Sequence, residues 1–305
     1  QSFLLTADLD KLSPIAVTDW IEGLEYELEH VDPYLIIRGN HGHEDFALYR
    51  APLPTAGIPS NPDQWETLWA PEAGALFSDF EVLAKHWVIE YSVEGCGRYL
   101  IVEPNPLQFE IRQELNLSTS IHDTHLDPLP GFCRNTIRMR ISTPAMPPEV
   151  REINLATGDF KQLKVSAPPN GHTEANYVVL RSYGISGDGQ KVPLTIVHHR
   201  DVSPHPETPV LLTGYGAYGM SLTPGFSASR RTLLTRGVIH VTAHVRGGME
   251  NGYQWYRSGR MAAKDKSFDD FIGAAETLIR EGWTSADRKS TRLNSSHQII
   301  SYAVF

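Results

Sequence analysis

Over roughly its first 165 residues the chain alternates short apolar runs with turn residues, the pattern of short strands. Tyr34-Leu35-Ile36-Ile37 is followed by Gly39-Asn40 and then Phe46-Ala47-Leu48-Tyr49. Trp87-Val88-Ile89-Glu90-Tyr91 leads through Glu94-Gly95-Cys96-Gly97 to Tyr99-Leu100-Ile101-Val102. Ile137-Arg138-Met139-Arg140-Ile141 leads through a Pro-rich turn to Val150-Arg151-Glu152-Ile153. These hairpins begin about 50 residues apart, a repeat of pattern that predicts propeller blades.

The pattern changes near Pro168-Pro169-Asn170-Gly171. A hairpin is predicted from Tyr177–Ile185, the turn Gly187-Asp188-Gly189 and Val192–His198. Pro209–Thr213 and Val238–Ala243 are continuous apolar runs, as in strands buried on both faces of a parallel sheet. Ser227–Arg236, between them, is a candidate helix. Asp265–Arg280 is the clearest helix. Phe268, Phe271, Ile272, Ala275, Leu278 and Ile279 share a face, Ser267 is a candidate N-cap, Asp269 and Asp270 lie in the first turn, and Gly282 stops it. This succession is the start of an open α/β sheet.

The 305 residues are 41% apolar and 21% charged, enough for two globular domains. With 27 basic and 36 acidic residues the net charge is −9, and no basic stripe marks a nucleic-acid partner. No apolar run approaches the ~18 residues of a membrane span. Cys96 and Cys133 are too few for a disulfide framework, so free thiols in a reducing compartment are expected, although the two can pair. A cytoplasmic location follows. Export to a periplasm stays open because the chain starts at Gln1 without a Met.

Two loops carry the chemical signal. Gly214-Tyr215-Gly216-Ala217-Tyr218-Gly219 follows one buried strand, and its glycines let the backbone turn sharply and approach a ligand. His244-Val245-Arg246-Gly247-Gly248-Met249-Glu250, continued by Gly252 and Trp255, follows the next. Both loops are expected at one sheet edge, where ligands bind in open α/β sheets. Other clusters read as structural. His41-Gly42-His43-Glu44 is a solvated blade turn and His198-His199 a surface strand end. No dinucleotide fingerprint, P-loop or zinc spacing occurs, so neither cofactor nor metal is expected.

Taken in order, Gly-Tyr-Gly-x-Tyr-Gly, Arg-Gly-Gly-x-x-x-Gly-x-x-Trp and Phe268-Asp269-Asp270-Phe271 resemble the prolyl oligopeptidase family of serine peptidases, in particular its oligopeptidase B branch. Ser142–Pro148, Leu155–Gly158 and Asp188–Pro193 are similar to that branch's last blade and its entry into the catalytic domain. The resemblance implies the C-terminal blades of a β-propeller at residues 1–170, then the N-terminal part of an α/β-hydrolase domain at 171–288. It implies short peptides as substrates, cut by a Ser-Asp-His triad and, in the oligopeptidase B branch, after basic residues. It makes Tyr215 the donor of a hydroxyl to the oxyanion. Tyr218, and more weakly Glu250, would contact substrate, while Arg246, Gly247 and Gly248 would form a structural loop beside the site. It says nothing of oligomeric state.

The family's nucleophile sits in Gly-x-Ser-x-Gly, and this sequence contains no such motif. The chain is therefore expected to leave the family's sequence near Lys289, before the nucleophile, and to be inactive by itself. Lys289–Phe305 reads as an extraneous tail resembling sequencing-adapter readthrough; the alternative is a divergent strand from Gln298 to Phe305. His297 beside Ser295 and Ser296 is not read as a catalytic pair. Two rival functions stand beside the peptidase: a non-catalytic propeller that binds peptides or proteins, and an acylaminoacyl or dipeptidyl peptidase of the same family.

Overall fold

The structure is a computed structural model and describes residues 3–4, 14–54, 59–104, 109–167, 171–295 and 298–303. Two short strands, β1 (Phe3–Leu4) and β2 (Ile15–Ala16), pair antiparallel. Three four-stranded antiparallel sheets follow, each a meander with its strands in chain order. The first holds β3 (Tyr26–Val31), β4 (Tyr34–Gly39), β5 (Ala47–Pro52) and β6 (Glu66–Trp69). The second holds β7 (Ala75–Val82), β8 (Trp87–Val93), β9 (Cys96–Pro104) and β10 (Phe109–Glu114). The third holds β11 (Asp123–Asp127), β12 (Thr136–Ser142), β13 (Glu149–Asn154) and β14 (Phe160–Val165). The predicted hairpins are the two inner strands of each sheet.

Two-sided burial explains the continuous apolar runs of the first two sheets. On β4, Leu35 and Ile37 enter one core cluster with Tyr49 and Trp65, while Ile36 points the other way, into a cluster with Phe77, Trp87 and Ile89. On β8, Ile89 belongs to that second cluster, whereas Val88 joins Met139 and Ile141 of the third sheet. Successive strand residues face opposite sides, so β4, β5, β8 and β9 are each buried against two different layers, whereas β12 and β13 bury one face, through Ile137, Met139, Ile141 and Ile153. Stacking meanders in chain order is how propeller blades bury both faces.

A six-stranded mixed sheet follows, in the order β15 (Tyr177–Ile185), β16 (Lys191–His199), β18 (Ile239–Ala243), β17 (Val210–Gly214), β19 (Lys289–Ser295), β20 (Gln298–Ala303). Strands β17 and β18 are parallel, as are β17 and β19. Helices α1 (Ala228–Leu234), α2 (Tyr253–Arg257) and α3 (Asp265–Arg280) complete the region. On β16, Leu194 and Ile196 pack with Phe271, Ala274 and Leu278 of α3, while Val197 packs with Leu234 of α1. The two helices thus cover opposite faces.

The segment expected to be an extraneous tail runs as β19 and β20, the latter antiparallel to β19. Of the stretch Gln298–Phe305, residues Gln298–Ala303 are described, as β20; His297 lies outside the described residues. Both cysteines are free, Cys96 buried and Cys133 exposed. No helix among the described residues is long and apolar enough to cross a membrane.

Helix α3 keeps its predicted bounds and its stop at Gly282, where a φ of 77° and bonds from Gly282 N to Ile279 O and Trp283 N to Leu278 O close the helix. Two expectations about it are corrected. Ser267 is not the N-cap; that position is Lys264, and the Ser267 side chain is fully buried. Ile272 is 55% exposed, because the buried face turns through Asp270, Gly273, Ala274 and Thr277 instead. Gly273 is there for approach: a Cβ on it would stand 2.1 Å from Ile185 O. Gly273→Ala is therefore expected to destabilise the fold by about 2 kcal/mol, despite a helix-propensity gain of about 1 kcal/mol. Urea unfolding checks this, and an unchanged or raised midpoint would refute it.

Candidate active site

Because β17 and β18 are parallel, their C-terminal ends open on the same edge of the sheet. The loop after β17 carries Tyr215 and Tyr218, and the loop after β18 carries Arg246 to Glu250. The loops pack backbone against backbone. Gly216 has φ 64°, and a Cβ there would lie 2.5 Å from Val245 Cγ2 and 2.8 Å from Arg246 O. Gly247 has φ 99°, and its Cβ would lie 2.1 Å from Gly216 O. No other residue type fits either position, which is the physical content of the two glycine motifs. Gly219 N donates to Gly247 O at 2.9 Å, and Lys264 Nζ donates to Gly216 O.

Tyr215 is half-buried at the start of this paired turn. Tyr218 is 60% exposed, with the left-handed φ of 55°. Tyr215 thus stands against the protein and Tyr218 toward solvent, on one loop held by its neighbours.

Arg246 is turned inward. Its N–H and Nε donate to Asp270 Oδ2 at 2.8 and 3.0 Å, its Nη2 to Asp270 Oδ1 at 2.6 Å and to Ser186 Oγ at 3.2 Å, and its Nη1 to Asp188 Oδ2 at 2.8 Å. Asp270 is fully buried and Arg246 7% exposed. Burial opposes the guanidinium charge, but the bonds to Asp270 and Asp188 outweigh it and hold the Arg246 pKa above its ordinary value. The same bond from Arg246 holds the Asp188 carboxyl down to about 2. An arginine so occupied shapes the loop. Ser267 Oγ locks it further by donating to Arg246 O at 2.5 Å and Gly259 O at 3.2 Å, which explains why it does not cap α3. Trp255 Nε1 donates to His244 O at 3.1 Å.

Glu250, expected weakly at the substrate, is enclosed instead. It is 2% exposed, its Oε1 accepts from Leu222 N at 2.8 Å, and that oxygen lies 3.5 Å from Nδ1 of the fully buried His244. His244 Nε2 is hydrogen-bonded to Thr195 Oγ1 at 2.8 Å.

Sequence reading missed three contributors. Asp270 was placed as a first-turn acid, yet it lies on the buried face of α3, one residue before Phe271; an acid on an apolar face signals a buried partner. His244 carries no such signal. The third contribution comes from turns of the four-stranded sheets, which only the tertiary arrangement brings here. Gly95 N donates to Glu250 O at 3.2 Å, and Arg181 Nη2 donates to Glu94 O and Tyr183 hydroxyl to Glu94 Oε1, both at 2.9 Å. Asp45 Oδ1 accepts from Tyr253 N at 2.5 Å, and Glu44 pairs with Arg257. The turn Asn40–Phe46 is thus partly a docking element; within it His41 Nε2 sits 3.0 Å from Asp63 Oδ1. No group of three or more metal-ligating side chains is present among the described residues. His198, expected at the surface, is 7% exposed and packs edge-on to Trp283.

A cleft of about 620 Å³ lies away from these loops, lined by the first strands of the three four-stranded sheets, β3, β7 and β11, together with β8. Glu29, Asp79, Glu81, Glu90 and Asp127 line it with Arg134. Burial pushes the Glu90 carboxyl up to about 7.

Comparison with known proteins agrees with this geometry. The profile of the prolyl oligopeptidase family matches residues 224–291. Dipeptidyl aminopeptidase BI of Pseudoxanthomonas mexicana is 28% identical over 283 residues, covering 92% of this chain and 38% of that protein. Protease 2 of Moraxella lacunata is 27% identical over 294 residues, covering 96% and 41%. The structure of oligopeptidase B from Trypanosoma brucei with covalently bound antipain superposes with a TM-score of 0.83 at 26% identity, over 93% of this chain and 41% of that one. Residues 224–291 carry the profile of the prolyl oligopeptidase family, and over nine tenths of its length the chain is similar to peptidases of that kind. It spans about two fifths of the length of the relatives it matches.

Proposed function

We propose that the whole protein is a serine oligopeptidase that cuts short peptides after basic residues. In this reading residues 1–170 contribute blades of a propeller, and 171–288 contribute the first part of an α/β-hydrolase domain. The observation that carries it is the pair of interlocked glycine loops at the shared edge of β17 and β18, with Tyr215 at their junction. A tyrosine held half-buried at a strand end is a preorganised hydrogen-bond donor, and such donors stabilise an oxyanion without reorganisation. Tyr218 would border the side chain of the residue before the cut bond. Arg246, Gly247 and Gly248 hold the loop. The acid-lined cleft is complementary in charge to basic peptides.

The 305 residues contain no Gly-x-Ser-x-Gly, so we expect them to be inactive on their own. A fluorophosphonate probe tests both statements. The whole protein should be labelled at one serine and should release fluorophore from blocked peptides ending in Arg or Lys. The 305-residue chain should do neither. Covalent labelling of that chain at a serine in a folded pocket would overturn its predicted inactivity. A second reading, release of dipeptides, is favoured by the similarity to dipeptidyl aminopeptidase BI. Mass analysis of products from unblocked peptides separates the two.

A further inference from the structure

Glu250 joins three parts of the molecule. Its carboxylate accepts from Leu222 N at 2.8 Å, which fixes the far end of the loop that begins at Tyr215. Its carbonyl accepts from Gly95 N at 3.2 Å, in the β8–β9 turn of the second four-stranded sheet. The same carboxylate oxygen lies 3.5 Å from Nδ1 of His244, itself held by Thr195 on β16. The fit around it is close. A Cβ on Gly95 would stand 3.1 Å from Glu250 Cγ, and one on Gly248 would stand 2.0 Å from Glu250 Oε2. The turn that touches Glu250 is itself anchored. Glu94 adopts φ 50°, and its carbonyl and carboxylate are engaged by Arg181 and Tyr183 of β15.

A buried carboxylate is costly unless it is hydrogen-bonded and paired, so its position follows closely from its partners. Movement of the blade turn reaches the Gly-rich loop by the shortest covalent route available, from the carbonyl of Glu250 to its own carboxylate. We propose that Glu250 is a positioning residue: it holds the loop bearing Tyr215 and Tyr218 in register with the β8–β9 turn, so that docking of the propeller strands sets the geometry of the proposed oxyanion donor. The catalytic meaning rests on the peptidase reading, whereas the coupling itself does not.

Amide hydrogen exchange on the 305-residue chain tests the coupling without turnover, so its outcome is independent of whether the peptidase reading holds. Glu250→Ala is expected to speed exchange at Leu222 about tenfold, with Leu212 and Val241 in the sheet unchanged. Glu250→Gln keeps an acceptor oxygen and should restore protection to within about threefold of the parent. Glu94→Ala, which loosens the blade turn, should speed Leu222 exchange about threefold in the parent but add nothing in the Glu250→Ala background. Unchanged Leu222 exchange in Glu250→Ala, or an equal effect of Glu94→Ala in both backgrounds, overturns the proposal. Should Glu250→Ala unfold the chain, Glu94→Ala decides alone: faster exchange confined to the Leu222 loop supports the coupling, and no change there refutes it.

Discussion

Tyr215→Phe in the whole protein is expected to lower kcat by about a hundred- to a thousandfold while KM changes by less than about threefold. The substitution deletes one oxygen and keeps the ring, so the half-buried side chain retains its packing. The loop should also keep its shape, because glycines rather than the hydroxyl set it: Gly216 lies against Val245 and Gly247 against Gly216 O. What is lost is a donor aimed at charge that develops only in the transition state. The loss therefore falls on kcat, because a ground-state carbonyl gains little from that donor. Steady-state kinetics on a peptide ending in Arg is the measurement. A kcat within about threefold of the parent would remove Tyr215 from the chemistry and leave it a packing residue. Tyr218→Phe is the useful contrast, since Tyr218 is mostly exposed and should act through binding.

The largest stability effect is expected at Asp270. Asp270→Ala leaves the Arg246 guanidinium buried with only Asp188 and Ser186 as partners, and should cost about 3–5 kcal/mol. Asp188→Ala should cost about 1 kcal/mol or less, because the Asp188 side chain is 34% exposed and water takes over its role. The two carboxylates share one arginine, so geometry alone does not rank them; burial does. Replacing both members of the inner pair, Asp270→Ala with Arg246→Met, should recover much of the loss, since no uncompensated charge then remains inside. Denaturant unfolding of the parent, Asp270→Ala, Arg246→Met and the double variant completes the cycle, with Asp188→Ala measured beside it. Equal destabilisation by Asp270→Ala and Asp188→Ala would contradict this ranking. The loop carrying Gly247 is tied to this pair through the Arg246 backbone N–H, so the Asp270 variant should also lose activity in the whole protein.

Much of the fold was legible because the signals were local. The hairpins at Tyr34, Trp87 and Ile137 and the turn at Asp188-Gly189 depend on residues within about twenty positions of each other. The α3 bounds follow from a helical apolar period closed by Gly282. Ser267 shows where local reading fails. A serine near a helix start is an N-cap by propensity, but here its hydroxyl meets the carbonyls of Arg246 and Gly259, which are distant or on another element. Ile272 and Asp270 fail together: the helix is rotated so that a buried ion pair, not Ile272, faces the sheet. Glu250 fails for a related reason, since an acid in a loop beside a site reads as a ligand-binding group until its hydrogen-bond partners are known.

The sequence by itself determined which segments become strands and helices, that the glycines after the first buried strand permit a sharp backbone turn, and which family the motifs resemble. These are properties of short stretches, governed by side-chain periodicity and backbone sterics. Tertiary structure alone decided what the charged and polar residues are for. Arg246 meets Asp270 and Asp188, Glu250 meets Leu222 and Gly95, and Asp45 meets Tyr253, across separations of 24 to 208 residues. A buried charge or hydroxyl takes its role from whichever partner satisfies it, and that partner is chosen by packing in three dimensions.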